Sequence, residues 1–206
     1  MNEKSFKYYD KIAKNVTNPL IVRNKAKDFT KYDIEFLKQF SDKNKILLDL
    51  GSGTGLTINN LVDKFKKIIA VEKYKEFYKF IDNNIEIIES DIKEFDFNLT
   101  FDIVTLFGVM HYFSFEEAKN LYQKIYNSFN GTLIIKNQFG LNDDVIVDGY
   151  SKELDSYYFS EYRYLQKEID LLKNIGFKID KVVDIYPKEY NRWENTHFYA
   201  IVCKKD

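Results

Sequence analysis

A chain of 206 residues fits one domain and is long enough to bury a full-sized core, which excludes a peptide hormone or an isolated binding motif. Its 31 basic and 32 acidic side chains leave a formal charge of -1, so the broad phosphate-neutralising surface of a nucleic-acid binder is not expected. The start, MNEKSFKYYD, has no secretory apolar stretch and no run approaches the roughly 18 apolar residues of a membrane span, which leads us to expect a cytoplasmic protein with neither nucleic-acid nor membrane partners.

In the first 44 residues, Phe6, Tyr9 and Ile12, then Ile34, Leu37 and Phe40, recur at helical spacing. They predict helices that cap the carboxyl ends of the strands that follow. From residue 45, strands over 45–50 (KILLDL), 67–72 (KIIAVE), 85–90, 101–107 and 131–138 alternate with helices over 54–65, 73–83 and 115–129. Near-continuous apolar strands separated by helices predict a parallel sheet covered on both faces. The chain end changes character: a helix over 164–174 stops at Gly176, and FKIDKVVDIYP and THFYAIVCKK read as an antiparallel pair closing one sheet edge. The stretch 137–163 is too long for an ordinary strand-to-helix connection and is expected to be a substrate loop. Only Pro19 and Pro187 interrupt the chain, without linker or repeat. We therefore expect one domain over 1–206, with a helical cap over 1–44 and a core over 45–206. Cys203 is expected to be a buried strand thiol, and one cysteine with two histidines offers no zinc cluster.

The segment LLDLGSGTG, Leu47 to Gly55, sends a buried strand directly into a glycine turn. Glycine permits positive φ and close approach of a ligand to the backbone. The dinucleotide fingerprint G-x-G-x-x-G would need glycine where Leu56 stands; the pattern here is G-x-G-x-G, with Asp49 two residues ahead of it. Glu72 ends the next strand about 20 residues on, where a carboxylate can accept both hydroxyls of a ribose. No G-x-x-x-x-G-K-[ST] occurs, so a triphosphate loop is not expected.

Over 45–205 the chain resembles the class I S-adenosylmethionine-dependent methyltransferases. LLDLGSGTG is similar to the family's first motif, VEK (Val71 to Lys73) to its second-strand acid, and SDI (Ser90 to Ile92) to its adenine-contacting turn. FDIVTLFGVMHYF is similar to its fourth strand, GF...HFYAIV to its reversed last hairpin, and YYDKIA to the lid of small-molecule members. The resemblance implies a Rossmann-like, doubly wound α/β fold: a seven-stranded sheet, mostly parallel, with a reversed C-terminal hairpin strand and an N-terminal helical cap. It implies S-adenosyl-L-methionine as cofactor, released as S-adenosyl-L-homocysteine. Carried over by position, Asp49 and the turn Gly51, Ser52, Gly53 and Gly55 would meet its amino-acid part. Glu72 would hold the ribose, Asp91 and Ile92 the adenine edge, and Lys73 or Tyr74 its face. Phe107 or Gly108 would offer a carbonyl to the ammonium, and Tyr9 would close over it.

An oxygen acceptor has to lose a proton, and a histidine titrates in the right range. His111 follows the fourth strand at the ligand face and is the candidate base; His197, near Trp193, is placed with the substrate contacts. The D/N-P-P-[YFW] turn of amino-group methylators of nucleic acid is missing. Gly108 and Val109 stand where metal-dependent members carry an acid, so no metal is expected. Asn137, Gln138, Tyr150, Tyr158, Tyr162 and Arg163 of the 137–163 stretch suit a small polar acceptor, anionic or sugar-like. Size and the ending NRWENTHFYAIV are also similar to small bacterial methyltransferases that decorate surface-polysaccharide precursors. The alternatives are an N-methyltransferase of a small amine, a non-catalytic partner subunit of the same fold, and a nicotinamide dehydrogenase, against which Leu56 and SDI speak.

Overall fold

The computed structural model describes residues 3–22, 29–151, 156–191 and 193–205. Strands β1 (Asp42–Leu50), β2 (Phe65–Glu72), β3 (Glu86–Glu89), β4 (Ile103–Phe107) and β5 (Gly131–Gly140) lie parallel to one another. Strand β9 (Thr196–Lys205) pairs antiparallel with β5 on one side and with β8 (Lys178–Asp184) on the other. The seven run in the order β3-β2-β1-β4-β5-β9-β8, the expected mostly parallel sheet with a reversed C-terminal strand. Cys203 lies buried in β9, where loss of water pushes its thiol up to about 12.

Alternation along each strand feeds two cores. Leu48, Leu50, Val104, Leu106, Leu133 and Ile135 face helices α3 (Phe115–Ser128) and α4 (Leu165–Ile175), meeting Leu121, Tyr122 and Leu172. Leu47, Ile68, Ile103 and Ile134 face the other way, toward Leu61 and toward Phe36 and Leu37 of helix α2 (Thr30–Lys38). A capping box starts α3: the Ser114 side chain accepts from the Glu117 amide, and the Ser114 amide donates to Glu117 Oε2 at 2.9 Å. Gly176, at φ +121°, ends α4 as expected.

Three expectations are corrected. The helices expected over 54–65 and 73–83 are short 3₁₀ segments, Ile58–Lys64 and Lys75–Phe80. Asn59 and Asn60 spend their amides on the carbonyls of Phe80 and Leu56, which competes with the regular helical ladder. Of the two N-terminal helices only α1 (Glu3–Lys14) lies at the strand ends; α2 packs on a sheet face, because Phe36 and Leu37 join the core there. The stretch 137–163 is not a loop: β5 runs on to Gly140, and an antiparallel hairpin follows, β6 (Val145–Ser151) with β7 (Ser156–Tyr162). Tyr158, Ser160 and Tyr162 alternate inward, and the cross-strand neighbours Tyr150 and Tyr157 point to solvent.

Helix α2 is also tied to the sheet by charge. Lys136 Nζ of β5 donates to Asp33 Oδ2 at 3.2 Å and to the Tyr186 hydroxyl at 2.8 Å, and that hydroxyl donates to Asp33 Oδ1 at 2.5 Å. The two charged side chains are 3% and 0% exposed. Lys136→Met leaves a buried carboxylate without its cation and should cost about 3–5 kcal/mol in urea denaturation. Adding Asp33→Asn, which still accepts from Tyr186, should recover most of that loss; equal loss in the double variant would show that the charge pair is not what anchors α2.

Candidate active site

The sheet order reverses between β1 and β4, since the chain runs outward from β1 to β3 and then returns to pair β4 with β1. A crevice opens beyond the carboxyl ends of two such strands, and ligands of open α/β sheets bind there. Both strands leave it through glycines at positive φ, Gly51 at +80° and Gly108 at +69°. A Cβ on Gly51 would stand 2.7 Å from Val109 and 3.0 Å from Ile92, so only glycine lets the first and fourth loops close on each other. At Gly53 (φ +55°) the nearest atom to a Cβ would be in Val22, at 3.8 Å, which leaves that backbone open to the crevice. The turn hangs on β2, the Gly51 and Ser52 amides donating to the Val71 carbonyl at 2.9 and 3.2 Å.

Three carboxylates stand at the ends of β1, β2 and β3. Asp49 is held by the Thr105 hydroxyl, which donates to Oδ1 at 2.5 Å. Glu72 is buried and accepts from the Gly53 amide at 2.7 Å and the Tyr74 amide at 2.9 Å. Burial pushes its carboxyl above the ordinary value of 4.5, a rise that the amides at Tyr74, Gly53 and Lys73 oppose and neighbouring Asp49 reinforces. Asp91 accepts from the Lys93 amide at 3.0 Å and pairs with Lys73 at 3.2 Å.

One cavity gathers almost all the residues expected to hold a cofactor. Asp49, Gly51, Ser52, Gly53, Glu72, Lys73, Tyr74, Asp91, Ile92, Phe107 and Gly108 line it, with Tyr9 of α1 across them. Gly55 is not in its wall; a Cβ there would meet Asn59 Oδ1 at 2.8 Å, so it serves the packing of the turn. The empty volume, including the open mouth, is about 1130 Å³. Sequence reasoning missed Tyr112 and Phe113, which also line it; their position directly after His111, at the end of the switch-point strand, was the available signal.

The expected substrate contacts are placed elsewhere. Asn137 and Gln138 are buried in β5, where Asn137 Oδ1 bonds His111 Nδ1 at 2.8 Å and Gln138 donates to the Thr196 hydroxyl at 2.5 Å. The Tyr158 and Tyr162 hydroxyls bond each other at 3.1 Å, and Trp193 Nε1 donates to Tyr162 at 3.1 Å. Burial holds the Tyr162 phenol well above its ordinary value, so it stays neutral. Tyr150 is 54% exposed, edge to face with Tyr157. Both ring nitrogens of His197 are engaged, with Asn191 at 2.7 Å and Asp184 at 2.6 Å. Arg163 is buried against Glu168 and cannot meet an anionic acceptor. None of these side chains lines the cavity: of the three that the hairpin carries, Tyr158 and Tyr162 are on its buried face and Tyr150 is on its exposed one. His111 stands behind Tyr112, ring centroids 3.9 Å apart. Among the described residues no group of three or more His, Cys, Asp or Glu is arranged to hold a metal ion, and no helix is long and apolar enough to cross a membrane.

Glu72 generates a prediction with two signs. Its folded value is raised, so its contribution to stability is present below 4.5 and is lost as pH rises through the raised value. Ribose hydroxyls need it ionised, so S-adenosylhomocysteine affinity should instead fall as pH drops through that same value. Calorimetric titration should show this acid limb in the wild type and not in Glu72→Gln, which should bind about 1.5–3 kcal/mol more weakly at neutral pH. Gly53→Val, strained at its positive φ and filling open space, should abolish binding in a chain that still folds; retained affinity would place the ligand elsewhere.

Residues 47–130 match the family model described as a methyltransferase domain. A carboxy-S-adenosyl-L-methionine synthase from Nautilia profundicola is 26% identical over 226 aligned positions, covering 94% of this chain and 92% of that protein. Two solved structures share the fold. An S-adenosylmethionine-dependent methyltransferase from Clostridium acetobutylicum superposes with a TM-score of 0.62 at 18% identity, over 98% of this chain and 97% of the other. The 1,6-didemethyltoxoflavin-N1-methyltransferase of Burkholderia thailandensis, with bound 1,6-didemethyltoxoflavin and S-adenosylhomocysteine, gives 0.70 at 13% identity, over 100% and 91%. Residues 47–130 are thus similar to a methyltransferase domain, and the chain has the fold of these S-adenosylmethionine-dependent methyltransferases.

Proposed function

We propose that this chain transfers the methyl group of S-adenosylmethionine to a small acceptor without net negative charge, an amine before a phosphorylated sugar. The observation that carries the cofactor is the convergence of Asp49, Glu72 and Asp91 with the open backbone of Gly51, Gly53 and Gly108 on one cavity. The residues present fit the group. Asp49 and the Gly108 region would face its amino-acid part, Glu72 its ribose, and Asp91 with Ile92 its adenine. When bound, it supplies an electrophilic methyl on a sulfonium.

Charge and shape support the acceptor class. Among the described residues the wall carries three carboxylates and one lysine, Lys73, and that lysine is paired with Asp91. Around the remaining space stand Tyr9, Tyr112 and Phe113, aromatic faces that suit a planar or cationic group. A phosphorylated polysaccharide precursor needs a cation, and Arg163 is committed to Glu168. A protonated amine must shed its proton before its lone pair is nucleophilic. Asn137 Oδ1 accepts from His111 Nδ1, which leaves the basic character of the neutral ring on Nε2. His111, directly behind Tyr112 of the wall, is the residue this reading assigns to receive that proton. Nitrogen acceptors are also those of the toxoflavin-precursor enzyme and of the glycopeptide N-methyltransferase MtfA, which superposes with a TM-score of 0.68 at 10% identity.

The likeness to a carboxy-S-adenosyl-L-methionine synthase favours a second reading, modification of the cofactor itself. A carboxylate beside the sulfonium asks for a cation, and among the described residues the lining cation is Lys73, which is paired with Asp91. Methyl transfer is the better fit. The test is incubation with S-adenosylmethionine and panels of small amines, sugar nucleotides and carboxylic acids, read by mass spectrometry. Amine-dependent appearance of S-adenosylhomocysteine is expected. A cofactor product heavier by a carboxyl group would select the second reading, and no product with any panel would favour a non-catalytic subunit. With the active amine, His111→Ala should lower turnover by about 10² to 10⁴ with unchanged S-adenosylhomocysteine affinity; a loss below about tenfold would exclude it as the base.

A further inference from the structure

Arg163 places a charge in the interior with 1% of its surface exposed. Nε donates to Glu168 Oε2 at 2.6 Å and Nη2 to Oε1 at 3.0 Å, and the Tyr122 hydroxyl donates to the same Oε1 at 2.5 Å. Glu168 is itself fully buried. Such a pair is weak evidence for stability, because apolar side chains of similar size often do as well. Its remaining arm has a geometric use. Nη1 donates to the carbonyls of Met110, at 3.2 Å, and Phe113, at 2.7 Å, and these two carbonyls bracket His111 and Tyr112.

The bracketed turn has other holds as well, since Met110, Tyr112 and Phe113 are buried in the core and the Tyr112 amide donates to the Val109 carbonyl at 3.1 Å. His111 bonds Asn137 and stacks on Tyr162, ring centroids 5.5 Å apart at 26°. The Tyr112 hydroxyl meets that of Tyr9 across the cavity at 3.2 Å. The guanidinium fork is planar and reaches carboxylate and backbone together, which an ammonium on a flexible stem cannot reproduce. We infer that Arg163, locked by Glu168 and Tyr122, is a positioning residue that sets where Tyr112 stands in the cavity wall and where His111 stands behind it. Its consequence for catalysis rests on the methyl-transfer reading; its geometry does not.

The chain has two histidines, so imidazole ¹H–¹⁵N spectra of the whole protein resolve His111, with His197 as internal control. The neutral pair Arg163→Met with Glu168→Gln keeps an acceptor for Tyr122 and removes the fork from the turn. In this variant the His111 Nδ1–H should shift and exchange with water roughly tenfold faster or more, as local opening is released, while His197 signals stay in place. S-adenosylhomocysteine affinity should change little, since Asp49, Glu72 and Asp91 are untouched. If circular dichroism shows the pair unfolded, Arg163→Lys is read in the same way, because it keeps charge against Glu168 but not the fork. Should the wild type fail to bind S-adenosylhomocysteine, the methyl-transfer reading falls and the His111 signal still decides the geometry. His111 signals at wild-type position and exchange rate in a folded variant would overturn the inference.

Discussion

The pairing of β1 with β4 is the constraint from which the rest of the site follows. Leu47, Leu48 and Asp49 lie in register with Ile103, Val104 and Thr105, although more than fifty residues separate the strands in sequence. That return makes the strand order reverse, and reversal is what leaves a crevice above the sheet. The Thr105 hydroxyl on Asp49 joins the two strands through a functional side chain, not only through the backbone ladder. Because β1 exits through Gly51, where a Cβ would collide with Val109, the loop after β4 can lie against it.

Two buried cations support the loop that leaves β4. Lys136 lies 5.0 Å from the centre of the Phe107 ring, and its carbonyl accepts from the Gly108 amide at 2.8 Å. Arg163 holds the next stretch from below through Met110 and Phe113. Each cation is neutralised by a carboxylate from a different helix, Asp33 of α2 and Glu168 of α4. Segments distant in sequence are thereby made to agree on the position of residues 107–113. Hydrophobic contact alone is non-directional and would not specify a turn of this length so narrowly.

The sheet and the cofactor side were legible because they follow short-range rules. LLDLGSGTG joins a run of buried positions to glycines, and the acids follow strands that their own apolar patterns reveal, Glu72 as the last residue of β2 and Asp91 just past β3. The helices after β1 and β2 were overestimated because apolar spacing does not show where asparagine side chains compete for the backbone, as Asn59 and Asn60 do. The hairpin was hidden for another reason. Tyrosine suits both a half-buried strand and a binding surface, so Tyr150, Tyr158 and Tyr162 read as ligand contacts until the register showed which of them face inward. Arg163 and His197 were misplaced because their partners, Glu168 and Asp184, lie on elements whose packing no local pattern encodes.

Charge also gives the cavity a direction. Asp49, Glu72 and Asp91 outnumber Lys73 in its wall, and burial already disfavours the ionised form of Glu72. A cationic ligand relieves that desolvation and a neutral one does not, so the carboxylates hold a sulfonium better than the thioether left after transfer. Tyr9, Tyr74 and Tyr112 contribute aromatic faces around this charge without adding any of their own, since burial keeps the Tyr74 and Tyr112 phenols protonated. The wall therefore favours a sulfonium ligand over the thioether formed from it, which is the electrostatic order that methyl transfer from S-adenosylmethionine requires.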